Sequence, residues 1–239
     1  MISPQTSSGL TPFRYRSVVL PVLFAMFVAV EMSAAEKAET KPAPSAPNGS
    51  EASTPKAAAK EQSLFDGKSL AGWKVTDFAG HGEVSAKDGT ILLEMGQMTG
   101  ITWTNDVPRM NYEISLEAKR VEGSDFFCGL TFPVAKDPCS LIVGGWGGGV
   151  VGLSSLDSQD AANNETTKFM NFKTGQWYAI RLRVTPGKIE AWIDADKVID
   201  CPTEDRAISI RLEMEDSKPL GIATWSTAAA LRNVRLKRL

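Results

Sequence analysis

Beyond residue 63, apolar and polar residues alternate with a period of two, and the clearest run lies between Gln176 and Asp200. Tyr178, Ile180, Leu182 and Val184 alternate with Ala179, Arg181 and Arg183, the pattern of a strand with one buried face. Pro186-Gly187 breaks the run, because proline presets one turn dihedral and glycine accepts the positive one. Ile189, Ala191 and Ile193 resume the alternation, and Asp194-Ala195-Asp196 turns the chain again into Val198 and Ile199. Two hairpins in succession predict an antiparallel sheet.

The same reading carries through the rest of this region. Asp66-Gly67 marks a turn between Leu64-Phe65 and Trp73, and Asp88-Gly89 centres a hairpin over Val84–Met95. Short strands are expected at Ile101–Thr104, Met110–Lys119, Phe126–Val134, Ser140–Val143, Val150–Leu156, Ile208–Leu212, Ile222–Trp225 and Val234–Leu236. No window of helical length has a 3.6-residue period with caps. Many short strands separated by turns predict an all-β, two-sheet antiparallel sandwich.

Residues 1–62 read differently. Arg14 and Arg16 precede an apolar run from Ser17 to Val30, followed by Met32-Ser33-Ala34-Ala35. The run is shorter than the ~20 residues of a membrane span, so residues 1–35 read as a signal peptide cleaved after Ala34 or Ala35, with an uncleaved anchor as the competing reading. The protein is therefore expected to be exported, periplasmic or extracellular, with no membrane span in the mature chain. Residues 36–62, rich in Ala, Pro, Lys, Glu, Ser and Thr, have little to bury and read as a disordered tether. Residues 63–239 form the expected single folded domain. A net charge of -2 over 239 residues points to no charged partner, and no basic stripe supports nucleic-acid binding. Of the three cysteines, Cys128 and Cys139 flank one hairpin and are the better-placed disulfide pair in an oxidising compartment; the alternative is three buried thiols.

Four stretches carry a family resemblance: LFDGKSLAGW (residues 64–73), NYEISLEAKR (111–120), GQWYAIRLRVTPGKIEAWIDADKVID (175–200) and LGIATWSTAAALRNVRLKRL (220–239). Together they resemble the 3-keto-disaccharide hydrolase domain. The resemblance implies a concanavalin A-like jelly roll and an activity on, or binding to, 3-keto-disaccharides and related glycosides. The Ala223–Thr227 stretch lacks the histidine the family carries before its last strand, which keeps a non-catalytic carbohydrate-binding module in view as the alternative. A third reading is an adhesion or scaffolding domain carried on the tether.

A carbohydrate partner asks for carboxylates to act as acid and base, and for aromatic faces to stack on a sugar ring. Glu213 and Glu215, at i and i+2, would share one face of a strand about 6.5 Å apart, within the ~5–9.5 Å window for paired glycosidase carboxylates. An exposed strand end or turn explains them as well. Asp125, just before Phe126, stands at a strand mouth and is the third catalytic candidate. Glu113 and Glu117 share a face but lie about 13 Å apart. His81, the only histidine, sits in a Gly80-His81-Gly82 loop.

Gly144–Gly149, GGWGGG, would display Trp146 on a rim, or else bend an edge strand around a core tryptophan. Trp192 falls on the polar side of its strand with Arg181 and Arg183 beside it, either as the floor of a sugar groove or packed on those arginines. Trp225 adds another candidate stacking surface. Asp157, Asn164 and Glu165, with Asp160 and Asn163, crowd one loop with oxygen donors close in sequence to Trp146; the three are candidate substrate-binding residues on the rim of a sugar groove, or else part of a solvated polar loop. Calcium is the ion such donors suit, but their spacing is not that of an EF-hand, so no cofactor is expected. Asn48-Gly49-Ser50 and Asn164-Glu165-Thr166 are glycosylation sequons in a eukaryotic secretory route.

Overall fold

The computed structural model describes residues 61–239, so the signal-peptide reading and most of the tether lie outside the described residues. Strands follow in the order β1 (Glu61–Ser63), β2 (Trp73–Val75), β3 (Val84–Lys87), β4 (Thr90–Leu93), β5 (Met98–Trp103), β6 (Tyr112–Gly123), β7 (Cys128–Val134), β8 (Asp137–Gly145), β9 (Val150–Ser154), β10 (Lys168–Phe169), β11 (Tyr178–Thr185), β12 (Lys188–Ile193), β13 (Asp196–Pro202), β14 (Gly221–Trp225) and β15 (Thr227–Arg238). They make two antiparallel sheets. Sheet I runs β13-β12-β11-β6-β15-β4-β3, with β1 added alongside β15; sheet II runs β10-β9-β8-β7-β14-β5-β2.

The hairpins that opened the sequence reading are β11, β12 and β13, and their register is continuous with β6. Tyr112, Ile114, Leu116 and Ala118 of β6, like Tyr178, Ile180, Leu182 and Val184 of β11, face the core, while the residues between them face outward. Phe127, Phe132, Leu130 and Leu141 meet them from sheet II. Each large side chain so buried contributes about 1.5–3 kcal/mol relative to exposure, which makes this interface the source of the fold's stability.

Sheet II differs from sheet I in how its outer face is treated. Its strands β5, β7 and β9 are buried along their whole lengths, on both faces. The outward residues Met98, Phe126, Ile142, Val150 and Ala223 form a second apolar cluster with Phe78, Ala161 and Met214, which come from covering loops. Alternation is therefore weak in these strands, and sequence periodicity does not distinguish their two faces.

Three expectations change. The folded unit begins earlier than residue 63, because Glu61 and Gln62 already pair with Lys237 and Leu236. Ile208–Leu212 is not a strand: Ile208 makes only an isolated bridge to Leu156, and Leu212–Ser217 is a 3-10 helix. That helix buries Met214 against sheet II and leaves Leu212 84% exposed. The third change concerns the cysteines, all of which are free. Cys128 pairs in register with Val143 and Cys139 with Phe132, which separates the two by four positions, about 13 Å along the hairpin. A disulfide requires Cα atoms within about 7 Å. Among the described residues no helix is long and apolar enough to cross a membrane.

Burial pushes the Cys128 and Cys139 thiols up to about 12, and neither has measurable exposure. The native protein should therefore show no reaction of Cys128 or Cys139 with a thiol reagent at pH 8, and all three cysteines should react after denaturation without prior reduction. Thiol titration with intact-mass measurement checks this.

Candidate functional site

The loops that cover sheet II leave an opening over its outer face, a pocket of about 260 Å³. Met98, Phe126, Ile142, Met214 and Trp225 supply its apolar surface; Asp125, Trp146, Ser154, Arg211 and Glu213 complete it. These residues come from four strands and three connecting segments. Strands β5, β8, β9 and β14 furnish the floor, the β6–β7 connection gives Asp125 and Phe126, the β8–β9 turn gives Trp146, and the 3-10 segment gives Arg211, Glu213 and Met214.

Trp146 is 44% exposed and left-handed, with φ of 48°. Its loop is gripped from two sides. Asp125 accepts from the backbone N–H of Gly147 through one carboxylate oxygen and from that of Phe126 through the other, at 3.1 and 2.7 Å. From the core side, Arg120 donates through Nη2 to the carbonyls of Gly144, Gly148 and Asp125 at 3.3, 3.0 and 3.2 Å, and through Nη1 to that of Phe172 at 3.4 Å. A Cβ at Gly144 would lie 2.8 Å from Arg120 Nη2, and one at Gly148 would lie 2.9 Å from the Ser124 carbonyl. Both glycines have positive φ. The glycine-rich stretch is thus a close-approach loop wrapped on a buried guanidinium.

Arg120 is 5% exposed; among the described residues no carboxylate lies in ion-pair range and its Nε has no partner. Burial pulls its guanidinium below the ordinary value, opposed by Asp125 and Tyr178. An ion so placed costs several kcal/mol unless its protons are matched; here carbonyl oxygens match most of them, and the Phe127 ring lies 5.2 Å from the guanidinium carbon.

On the other wall, Arg211 bonds Glu213 at 2.8 Å and Asp160 at 3.2 Å. The Arg211 hydrogen bond is the main reason the Glu213 carboxyl lies below its ordinary range. Trp225 stands beside Phe126 with ring centroids 6.5 Å apart. The arrangement offers two aromatic faces, an anionic carboxylate backed by a guanidinium, and a second carboxylate fixed by backbone N–H groups.

The pocket brings together four of the sequence candidates, Asp125, Glu213, Trp146 and Trp225. Glu215 is not among its lining residues. It pairs with Lys218, and residues i and i+2 of a 3-10 helix point about 120° apart rather than along one face. The expected same-face pair Glu213–Glu215 is thereby replaced by Asp125 and Glu213 around one cavity. Arg181, Arg183 and Trp192 lie elsewhere, on the outer face of sheet I. There the Arg181 guanidinium stacks 3.7 Å from the Trp192 ring centre, and both arginines bind Glu113. They do not floor the pocket, since a two-sheet sandwich separates the outer faces of its sheets by the whole core.

Asp157 and Glu165 converge on Arg206; the Ala207 N–H first, and Arg206 after it, hold the Asp157 carboxyl low, and the Arg206 hydrogen bond holds Glu165 low. Asn164 donates to the carbonyls of Leu153, Gln159 and Asp160 and accepts from Thr166. Its amide, part of the second sequon, is therefore spent on the loop's own backbone. Among the described residues no three His, Cys, Asp or Glu side chains converge as an ion site. His81 sits in an exposed loop, bonded through Nδ1 to the Gly82 carbonyl.

Arg120, Ser154, Arg211 and Met214 were not singled out in the sequence. One signal was available for Arg120: it occupies the next inward position after Tyr112, Ile114, Leu116 and Ala118, where a charge is anomalous.

Known structures share this architecture. A protein of unknown function with a galectin-like fold from Bacillus subtilis superposes with a TM-score of 0.53 at 10% identity, covering 76% of this chain and 98% of that one. Crh5 transglycosylase in complex with NAG gives 0.52 at 12% identity, covering 75% and 83%. A putative glycosyl hydrolase from Parabacteroides distasonis gives 0.49 at 16% identity, covering 75% and 94%. At such identities the likeness is of fold alone. No curated protein matches the chain. The model of the 3-keto-alpha-glucoside-1,2-lyase-like domain matches residues 60–237, and the chain belongs to that family.

Proposed function

We propose that this is an exported domain that holds one sugar ring of a 3-keto-disaccharide or related glycoside in the sheet II pocket and cleaves its glycosidic bond. The observation that carries the reading is the convergence of Trp146, Trp225, Asp125 and Glu213 on a single cavity. Its volume lies near the lower end of the ~300–1,000 Å³ range of small-molecule sites, which suits one ring rather than a polymer segment. A ketone at C3 acidifies the hydrogen on C2, so loss of that proton and breakage of the C1–O bond make one elimination, which leaves a C1–C2 double bond conjugated to the ketone and passes a proton to the departing oxygen to give the free alcohol. Glu213, kept anionic by Arg211, is the group suited to take the proton. Arg211 then faces the oxygen on which negative charge develops. Crh5, with a related fold, is described with NAG bound.

One observation favours a second reading. Glu213 and Arg211 are already bound to each other, and a carboxylate so held can position a sugar hydroxyl without reacting. A carbohydrate-binding module would use the same pocket and the same tryptophans.

Incubation with 3-keto-lactose or 3-keto-trehalose should release monosaccharide. E213Q should reduce kcat at least ~100-fold, the lower range of a lost general base, with KM little changed. Binding without turnover by the wild type would favour the module, and no binding at all would reject both. W146A should weaken affinity about tenfold or more, as loss of an aromatic anchor does.

The pH profile follows from the sign of the Glu213 shift. Its carboxyl is lowered, so it stays ionised as pH falls past ~4.3, the ordinary glutamate value. The acid limb of kcat/KM should lie below that pH, and a limb near pH 6 would remove Glu213 from the base role.

Export rests on residues 1–35. Expression of the full chain in a Gram-negative host should place it in the periplasm or medium with a mature N-terminus at Ala35 or Glu36. N-terminal mass analysis of the fractionated protein decides this against a retained anchor.

A further inference from the structure

We infer that Arg120 is the positioning residue of the sugar site: a buried cation that never meets the ligand, but whose guanidinium sets the height and orientation of Trp146. The inference rests on the proposed use of the pocket. Three observations carry it.

Arg120 belongs to sheet I, on the face that otherwise holds Tyr112, Ile114, Leu116 and Ala118, yet its hydrogen bonds go to the end of β8 and to loops at the rim of sheet II. It therefore spans the sandwich to reach the one turn that carries Trp146. Its acceptors Gly144 and Gly148 bracket that residue within the loop. The third acceptor, the Asp125 carbonyl, belongs to the residue whose carboxylate holds the Gly147 N–H from the other side. The loop backbone is thus tied at each end and at its crown, and these ties set where the Cα–Cβ bond of Trp146 points.

A structural role alone would not call for a charge here. Stability would be served at least as well by an apolar side chain in a site 5% exposed. A fork of N–H donors does what an apolar side chain cannot: it ties four carbonyls from three segments, the Trp146 turn, the β6–β7 connection and the stretch before β11, to one rigid plane. The two close approaches explain why the loop is so rich in glycine, since a Cβ at Gly144 or Gly148 would strike the guanidinium or the neighbouring backbone.

The test is a double-mutant cycle on binding. All variants are built on E213Q, so that turnover does not intrude, and affinity for 3-keto-lactose is read by calorimetry. R120M should raise Kd about three- to tenfold, the coupling expected between contacting groups. In a W146A background the same R120M change should move Kd less than about twofold, because its effect passes through the tryptophan. R120K, which keeps charge but not the planar fork, should behave like R120M. Thermal melts of each variant record stability separately. If R120M does not fold, R120K and G148A, which disturbs the loop from its other end, carry the cycle. Additive effects of R120M and W146A, or full affinity in R120M, would overturn the positioning role and leave the pocket reading intact. Loss of no affinity in W146A, or no binding by the E213Q parent, would overturn both.

Discussion

Face-to-face burial of two antiparallel sheets is the constraint from which the rest of the molecule follows. A strand has two faces, and once one is committed to the core the other must be solvated, covered or put to use. Sheet I solves this with charge. Glu113 holds Arg181 and Arg183, Glu117 holds Arg232 and Asn233, and Trp192 and Trp177 lie under guanidinium groups. Its outer face carries cross-strand pairs of its own, and half-exposed pairs of this kind contribute little individually. Sheet II is covered instead. Loops and a 3-10 helix lay Phe78, Ala161 and Met214 over its outer apolar residues, and the cover is incomplete over one pocket.

That incompleteness is what makes a site. The floor is rigid because it is sheet, while the walls come from segments tied by ion pairs and loop hydrogen bonds: Arg211 to Asp160 and Glu213, Arg206 to Asp157 and Glu165. The oxygen-rich loop that resembles a cation site in one dimension is, in three, the partner of two arginines from the 206–211 segment. Its charges hold the cover in place. Arg120 grips the Trp146 turn from the core side, at the desolvation cost of a buried cation.

The legible and illegible parts of this protein divide along a physical line. Period-two alternation and turn chemistry report on a strand and its immediate neighbour, so Tyr178–Thr185, Lys188–Ile193, the Asp88-Gly89 hairpin and Tyr112–Ala118 read correctly. They report poorly where both faces are buried, and not at all where a short apolar–polar alternation closes into a single turn. Glu213 and Glu215 look like a same-face pair in a strand; with only Met214 needing burial, a 3-10 turn satisfies that stretch and sends the two carboxylates apart. Cys128 and Cys139 flank one hairpin, yet the register of β7 on β8 keeps them four positions apart.

The amino-acid order by itself determined an all-β sandwich, its family, and which residue types were available for sugar chemistry. These are properties of local pattern and of a whole-domain motif set, carried by neighbours along the chain. Tertiary structure alone decided which sheet carries the pocket, that Trp146 and Trp225 share it with Asp125 and Glu213, and that Arg181, Arg183 and Trp192 stand on the opposite side. Strands distant in sequence become neighbours only through sheet pairing, and the two outer faces of a sandwich are indistinguishable in a periodic sequence until loops cover one of them.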